Sequence, residues 1–247
     1  MNFQWKERYE FDDLMEIVTV LRSPEGCPWD MRQDHHSVRT NLIEETYEVV
    51  DAIDHDDRAA LQEELGDLLF QVVFHTQMER EVGGFAMDDV TDGICKKLIE
   101  RHPHVFGRPY VGRDGKVRTD WEEIKKASKG QRTQTEAMRS VPRCFPALLR
   151  ASKLRSKAAK VSYDTVTPSQ AAGELQALAD ELRQYADGRE ENHDTDTEFD
   201  ICGRLLFSAV KFAHSLGVDS EYALAAACDT FIDEFSRTEE VSQQSEH

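Results

Sequence analysis

Apolar residues along this chain return every three or four positions over long stretches, and strict apolar/polar alternation is nowhere sustained. The pattern therefore predicts helices and gives strands little support. A first helix is expected from about Phe11 to Arg22, stopped by Ser23-Pro24-Glu25-Gly26, with Cys27-Pro28-Trp29-Asp30 as an irregular connector. A second runs from about Val38 to Asp54. Its Leu42, Ile43, Val49, Val50 and Ile53 fall toward one side, and Glu44, Glu45 and Glu48 toward the other. A third spans about Arg58 to Glu81 and ends at Gly83-Gly84. Between Leu68 and Phe74 it is apolar almost all round, which predicts a segment enclosed by other helices. A fourth covers about Met87 to Arg101, closed by Pro103. Residues 107–118, with three glycines and a proline, predict a mobile loop ahead of a short helix around Trp121 to Lys126.

The polar, aperiodic stretch 129–140 is the expected linker between a first domain, 1–128, and a second, 141–247. The second half echoes the first: Leu65-Gly66-Asp67-Leu68-Leu69-Phe70 returns as Cys202-Gly203-Arg204-Leu205-Leu206-Phe207. The fold class expected is all-α, built from a duplicated helical unit.

Charge narrows the function classes. Lys and Arg number 30 against 48 Asp and Glu, a net charge of −18, and so acidic a surface repels nucleic-acid backbones and anionic lipid. Neither nucleic acid nor membrane is an expected partner. Leu68 to Phe74, the longest apolar stretch, is far short of the roughly 20 residues of a membrane span. The charged start MNFQWKERYEF lacks the apolar run of a secretory signal, so a cytoplasmic location is expected. Cys27, Cys95, Cys144, Cys202 and Cys228 are widely spaced and never form C-x-x-C, which argues for reduced thiols.

Against that background the acidic residues at helical spacing stand out. Glu44 and Glu48 are four apart, Glu45 is three from Glu48, and Glu64 and Asp67 are three apart on the next helix. A short turn at 54–58 would fold these helices into an antiparallel hairpin on which five carboxylates can converge. Such a group repels itself unless cations intervene, and oxygen-only ligands suit Mg²⁺ or Mn²⁺ rather than zinc. Read alone, E-E-x-x-E is more often a solvated helix face. The E-L-G-D segment is harder to dismiss, because Glu64 and Asp67 lead directly into the apolar segment. Gly66, in mid-helix at a cost of about 1 kcal/mol relative to Ala, points to a close helix crossing.

E-E-T-Y-E at 44–48 and E-L-G-D at 64–67, with G-C-P-W-D at 26–30 before them and K-L-I-E-R-H-P-H-V-F at 97–106 after them, closely resemble the MazG family of all-α nucleoside triphosphate pyrophosphohydrolases. The resemblance implies tandem MazG-like helical bundles completed by homodimerisation. It implies hydrolysis of nucleoside triphosphates between the α- and β-phosphates, giving monophosphate and pyrophosphate, with Mg²⁺ on the carboxylates. Carried onto this chain, Glu44, Glu45, Glu48, Glu64 and Asp67 are the metal ligands, or one glutamate serves instead as base for the attacking water. Lys97 and Arg101, otherwise an ordinary solvated pair, would contact phosphate. Trp121 and Lys125 match a W-x-x-x-K segment placed near the nucleotide, and Trp29 either touches the base or packs under a loop.

His102 and His104 straddle Pro103 and do not share a helical face, so a capping or packing role is expected rather than a metal. His35 and His36 are expected at the surface. In the second half, Gly173-Glu174-Leu175-Gln176-Ala177 keeps one carboxylate of E-E-x-x-E, and Arg204 stands at the aspartate position, a fixed positive charge where the metal would sit. Catalysis is therefore expected from the first copy alone. The other readings of the carboxylates are a non-catalytic nucleotide- or alarmone-binding regulator and an acidic scaffold without ligand.

Overall fold

The computed structural model describes residues 3–107, 109–112, 115–119, 121–128, 130, 133–188 and 194–245. Among them the chain forms twelve helices and a single two-stranded hairpin, an all-α fold. It divides into two compact units, one up to Tyr110 and the other from Val111.

In the first unit α1 (Phe11–Leu21), α2 (Pro28–Arg32), α3 (Arg39–Asp54), α4 (Arg58–Glu81), α5 (Met87–Arg101) and α6 (Pro103–Phe106) follow in order. Helix α4 is the axis: α3 lies along it, α1 packs on another side and α5 meets it over a shorter stretch. The α3–α4 turn is tight because Asp56 adopts a left-handed conformation (φ 53°) and the Asp57 carboxylate accepts hydrogen bonds from the amides of Ala59 and Ala60. With three residues between them, the helices must run antiparallel. Val18, Val38, Val73, Phe74 and Met78 form the core, with Leu14, Met15, Phe70 and Met87 against it.

Arg22, buried at the end of α1, ties three segments together. Its Nη1 donates to the carbonyls of Asp30 (2.6 Å) and Gln33 (3.1 Å), and its Nε and Nη2 reach Glu81 (2.9 and 2.8 Å). The guanidinium also lies 5.0 Å from the centre of the Phe74 ring. The chain passes so close to α1 at Gly26 that an added Cβ would meet the Val20 carbonyl oxygen at 2.1 Å.

Four expectations change. Residues 28–32 form helix α2 rather than an irregular connector, because Pro28 at its first position is already set to helical φ. The 107–118 segment contains the hairpin β1 (Tyr110–Val111) and β2 (Val117–Arg118), turned through Gly115 at φ 75°. Gly66 marks no close crossing, since an added Cβ would meet nothing within 4 Å. The apolar stretch of α4 is enclosed on one side only: Gln71, Val73 and Phe74 are buried, but Leu69 and Val72 remain 41% and 38% exposed.

The second unit holds α7 (Trp121–Ser128), α8 (Gln134–Arg139), α9 (Ala147–Ala159), α10 (Pro168–Asp187), α11 (Thr195–Ser215) and α12 (Ser220–Ser245). Much of the stretch expected to be a linker is helix α8, started by a reciprocal cap between Thr133 and Glu136 and packed on α9. Helix α11 is the axis here, touched by α9, α10 and α12 as α4 is touched by α1, α3 and α5. Arg155 at the end of α9 donates to the backbone carbonyl of Asp164 at 2.6 Å, much as Arg22 does to Asp30. No single helix among the described residues is long and apolar enough to cross a membrane.

Candidate metal centre

Helices α3 and α4 face each other along their length, and their 3.6-residue period decides which acidic side chains meet. Ligand oxygens of Glu45, Glu48 and Glu64 all lie within 4.8 Å of one another. Glu45 is partly buried, and burial raises its pKa; the negative charges of Asp67 and Glu48 raise it further, with partial relief from a Gln71 hydrogen bond. Glu64 is raised too, by burial and then by Glu48, Glu63 and Asp67. Asp67 thus stands close enough to act on both neighbours. Glu44, on the same turn as Glu45, is exposed and outside the converging trio.

Carboxylates held this close in the absence of a cation stay partly protonated or repel. The donor set is oxygen only, which fits a hard divalent ion of the Mg²⁺ or Mn²⁺ type and does not fit a thiophilic one. A buried amide carbonyl completes the surroundings: among the described residues Gln71 Oε1 has no hydrogen-bond partner, while Nε2 of the same side chain donates to Glu45 Oε1 at 3.3 Å. Sequence reasoning passed over Gln71; a polar residue inside an apolar helical run was the available signal.

None of the remaining candidates belongs to this trio. Lys97 is exposed and Arg101 half-buried on α5. Trp29, on α2, is largely exposed. Trp121 and Lys125 belong to the second unit, where the ammonium sits 4.3 Å from the centre of the indole ring. His35 is no free surface group: its Nδ1 lies 2.8 Å from Nδ1 of His75 and its Nε2 lies 2.8 Å from Glu79. His102 Nδ1 contacts the Leu98 carbonyl at 2.7 Å at the junction of α5 and α6, a packing role.

The second unit handles its acidic groups differently. Arg204 pairs with Glu181 through both terminal nitrogens (2.8 and 2.9 Å) and lies 3.7 Å from Asp200. The cation beside Glu174 is instead Lys211, a buried ammonium 2.6 Å from Glu174 and 2.6 Å from Asp164, whose other oxygen is bound by Arg155. Arg204, at the position that echoes Asp67, is thus held by Glu181 across the α10–α11 pair rather than by Glu174. A lysine in the otherwise apolar middle of α11 was the clue.

Residues 33–106 match the family model of the MazG nucleotide pyrophosphohydrolase domain. A nucleoside triphosphate pyrophosphohydrolase/pyrophosphatase MazG of Thermotoga maritima is 39% identical over 234 residues, covering 95% of this chain and 87% of that one. The nucleoside triphosphate pyrophosphohydrolase of Escherichia coli strain K12 is 39% identical over 233 residues, 94% of this chain and 88% of its own. With its all-α fold and the matched stretch spanning both acidic helices, the chain belongs to the MazG family.

Proposed function

We propose that the first unit hydrolyses nucleoside triphosphates between the α- and β-phosphates, releasing monophosphate and pyrophosphate, as a nucleotide-pool housecleaning enzyme. The observation that carries this is the approach of Glu45, Glu48 and Glu64 to within 4.8 Å, and the names of the two full-length relatives support it. Glu45, Glu48, Glu64 and Asp67 hold the divalent cation, with Glu44 at the edge of the group. Mg²⁺ or Mn²⁺ bound there supplies charge neutralisation and a water of lowered pKa. One of the glutamates serves instead as base for the attacking water. Lys97 and Arg101 of α5 meet the phosphates, and Trp29 serves the nucleotide. Because the metal and phosphate contacts address what all such substrates share, broad base tolerance follows.

The second unit is a degenerate copy of the first and does not catalyse. Lys211, Arg155 and Arg204 neutralise its carboxylates from within. The exposed flank of Leu69 and Val72 on α4, with Ile94 and Leu98 on α5, is the surface that a second copy covers in a homodimer.

The test is incubation with mixed nucleoside triphosphates and Mg²⁺, followed by product identification. Monophosphate and pyrophosphate are expected; orthophosphate and diphosphate would overturn the bond assignment, and tight binding without turnover would make the protein a nucleotide-binding regulator. Glu48→Gln and Asp67→Asn should each abolish turnover with the helical fold intact, and undiminished activity in both contradicts the metal assignment.

A further inference from the structure

Among the described residues, Gln71 carries a buried polar side chain at the carboxylate group that the acidic motifs do not include. It is 5% exposed. On α4 it follows Asp67 by four residues and Glu64 by seven, so all three share one helical face. Its amide orientation is set by its neighbour: Nε2 donates to Glu45 Oε1, and the reverse orientation would turn a carbonyl dipole against a carboxylate. That leaves Oε1 buried and without a partner among the described residues. An apolar side chain of the same size would avoid this orphaned acceptor, so packing alone does not account for a glutamine here.

We propose that Gln71 is a positioning residue of the metal centre, its N–H fixing Glu45 in register with Glu48 and Glu64 and its carbonyl accepting a hydrogen bond from a water carried by the bound cation. The proposal rests on the metal reading above and adds to it a residue outside the E-E-x-x-E and E-x-x-D motifs. The amide suits both tasks at once. A carboxylate at position 71 would add another anion, an alkyl group would satisfy neither neighbour, and a lysine would compete with the cation. Outer partners of this kind typically govern metal affinity by 10–100-fold without touching the ion.

The experiment uses the full-length protein and Mn²⁺ as the probe, with free Mn²⁺ counted by electron paramagnetic resonance and bound water followed by water-proton relaxation. Gln71→Met keeps the volume and removes both polar functions; Gln71→Leu is the second variant. Expected are a 10–100-fold weaker Mn²⁺ affinity and an altered relaxation enhancement, while the metal-free Tm stays unchanged or rises because the unpaired carbonyl is gone. Wild-type Mn²⁺ affinity in both variants overturns the positioning role, and so does a collapse of the metal-free Tm, which makes Gln71 a structural residue. Absence of Mn²⁺ binding by the wild-type protein instead removes the metal reading itself, and this proposal with it.

Discussion

The ammonium nitrogen of Lys211 lies 2.6 Å from a carboxylate oxygen of Glu174, inside the second unit and almost wholly screened from solvent. They are brought together by α10–α11, the most extensively packed helix pair of the second unit, as α3–α4 is of the first. Where the first pair gathers acidic side chains with one another, the second pairs its own with cations.

Lys211→Met should therefore destabilise the second unit by about 1–3 kcal/mol near neutral pH, since it removes two charge-assisted hydrogen bonds and leaves Asp164 with Arg155 alone. Burial opposes the ammonium, but hydrogen bonds to Asp164 and Glu174 outweigh it and hold the pKa of Lys211 above the ordinary lysine value. The hydrogen bond from Lys211, helped by Arg155, holds Asp164 below the usual carboxylate range. A raised lysine contributes stability below its unfolded pKa of about 10.4, and a depressed aspartate contributes it above about 3.9. The difference between wild type and variant in thermal melts should be full between those limits and vanish as pH falls through the lowered Asp164 value. A difference that does not shrink as the carboxylates become protonated would contradict the pairing.

Arg22→Lys removes a fork that reaches two backbone carbonyls and one carboxylate at once, and a single ammonium cannot reproduce it. We expect a loss of about 2 kcal/mol and a fall in Tm of roughly 4–8 °C. Residues 23–37 should also become the preferred site of limited proteolysis. An unchanged cleavage pattern would show that the arginine does not hold this segment.

His75 supplies a pH dependence of its own. Burial, and then the charge of His35, hold its pKa below the usual imidazole value. The Nδ1–Nδ1 contact of 2.8 Å needs one donor and one acceptor, and Glu79 takes the other nitrogen of His35. A depressed histidine contributes stability that is complete above its unfolded pKa of about 6.5 and is lost as pH falls through the lower folded value. Wild-type Tm should drop between pH 7.5 and pH 5, and His75→Gln should flatten that slope. Parallel slopes for the two proteins would rule the pair out as its source.

The main helices were legible because their ends carry strong local signals. Asp57 caps α4 and glycines follow Glu81; Pro103 follows α5, and all three features are plain in the sequence. The approach of Glu45, Glu48 and Glu64 follows from helical spacing plus a short turn. That Glu44 stays out of it does not, because about 100° of helical rotation separates it from Glu45 and only the packed hairpin fixes which residue faces inward. Gln71 and Lys211 escaped notice for a shared reason. Each is a lone polar residue in an apolar run, and only the three-dimensional neighbours reveal what it meets.

Helix α5 has no buried residue and touches α4 over only a short stretch. Where no second copy covers it, its amide protons should therefore exchange with solvent well before those of α4, at the low end of the local-opening scale. Lys97 and Arg101 ride on that loosely anchored rod, so any phosphate they grasp must first immobilise it, and part of the attraction between ligand and cations is consumed in stilling the helix.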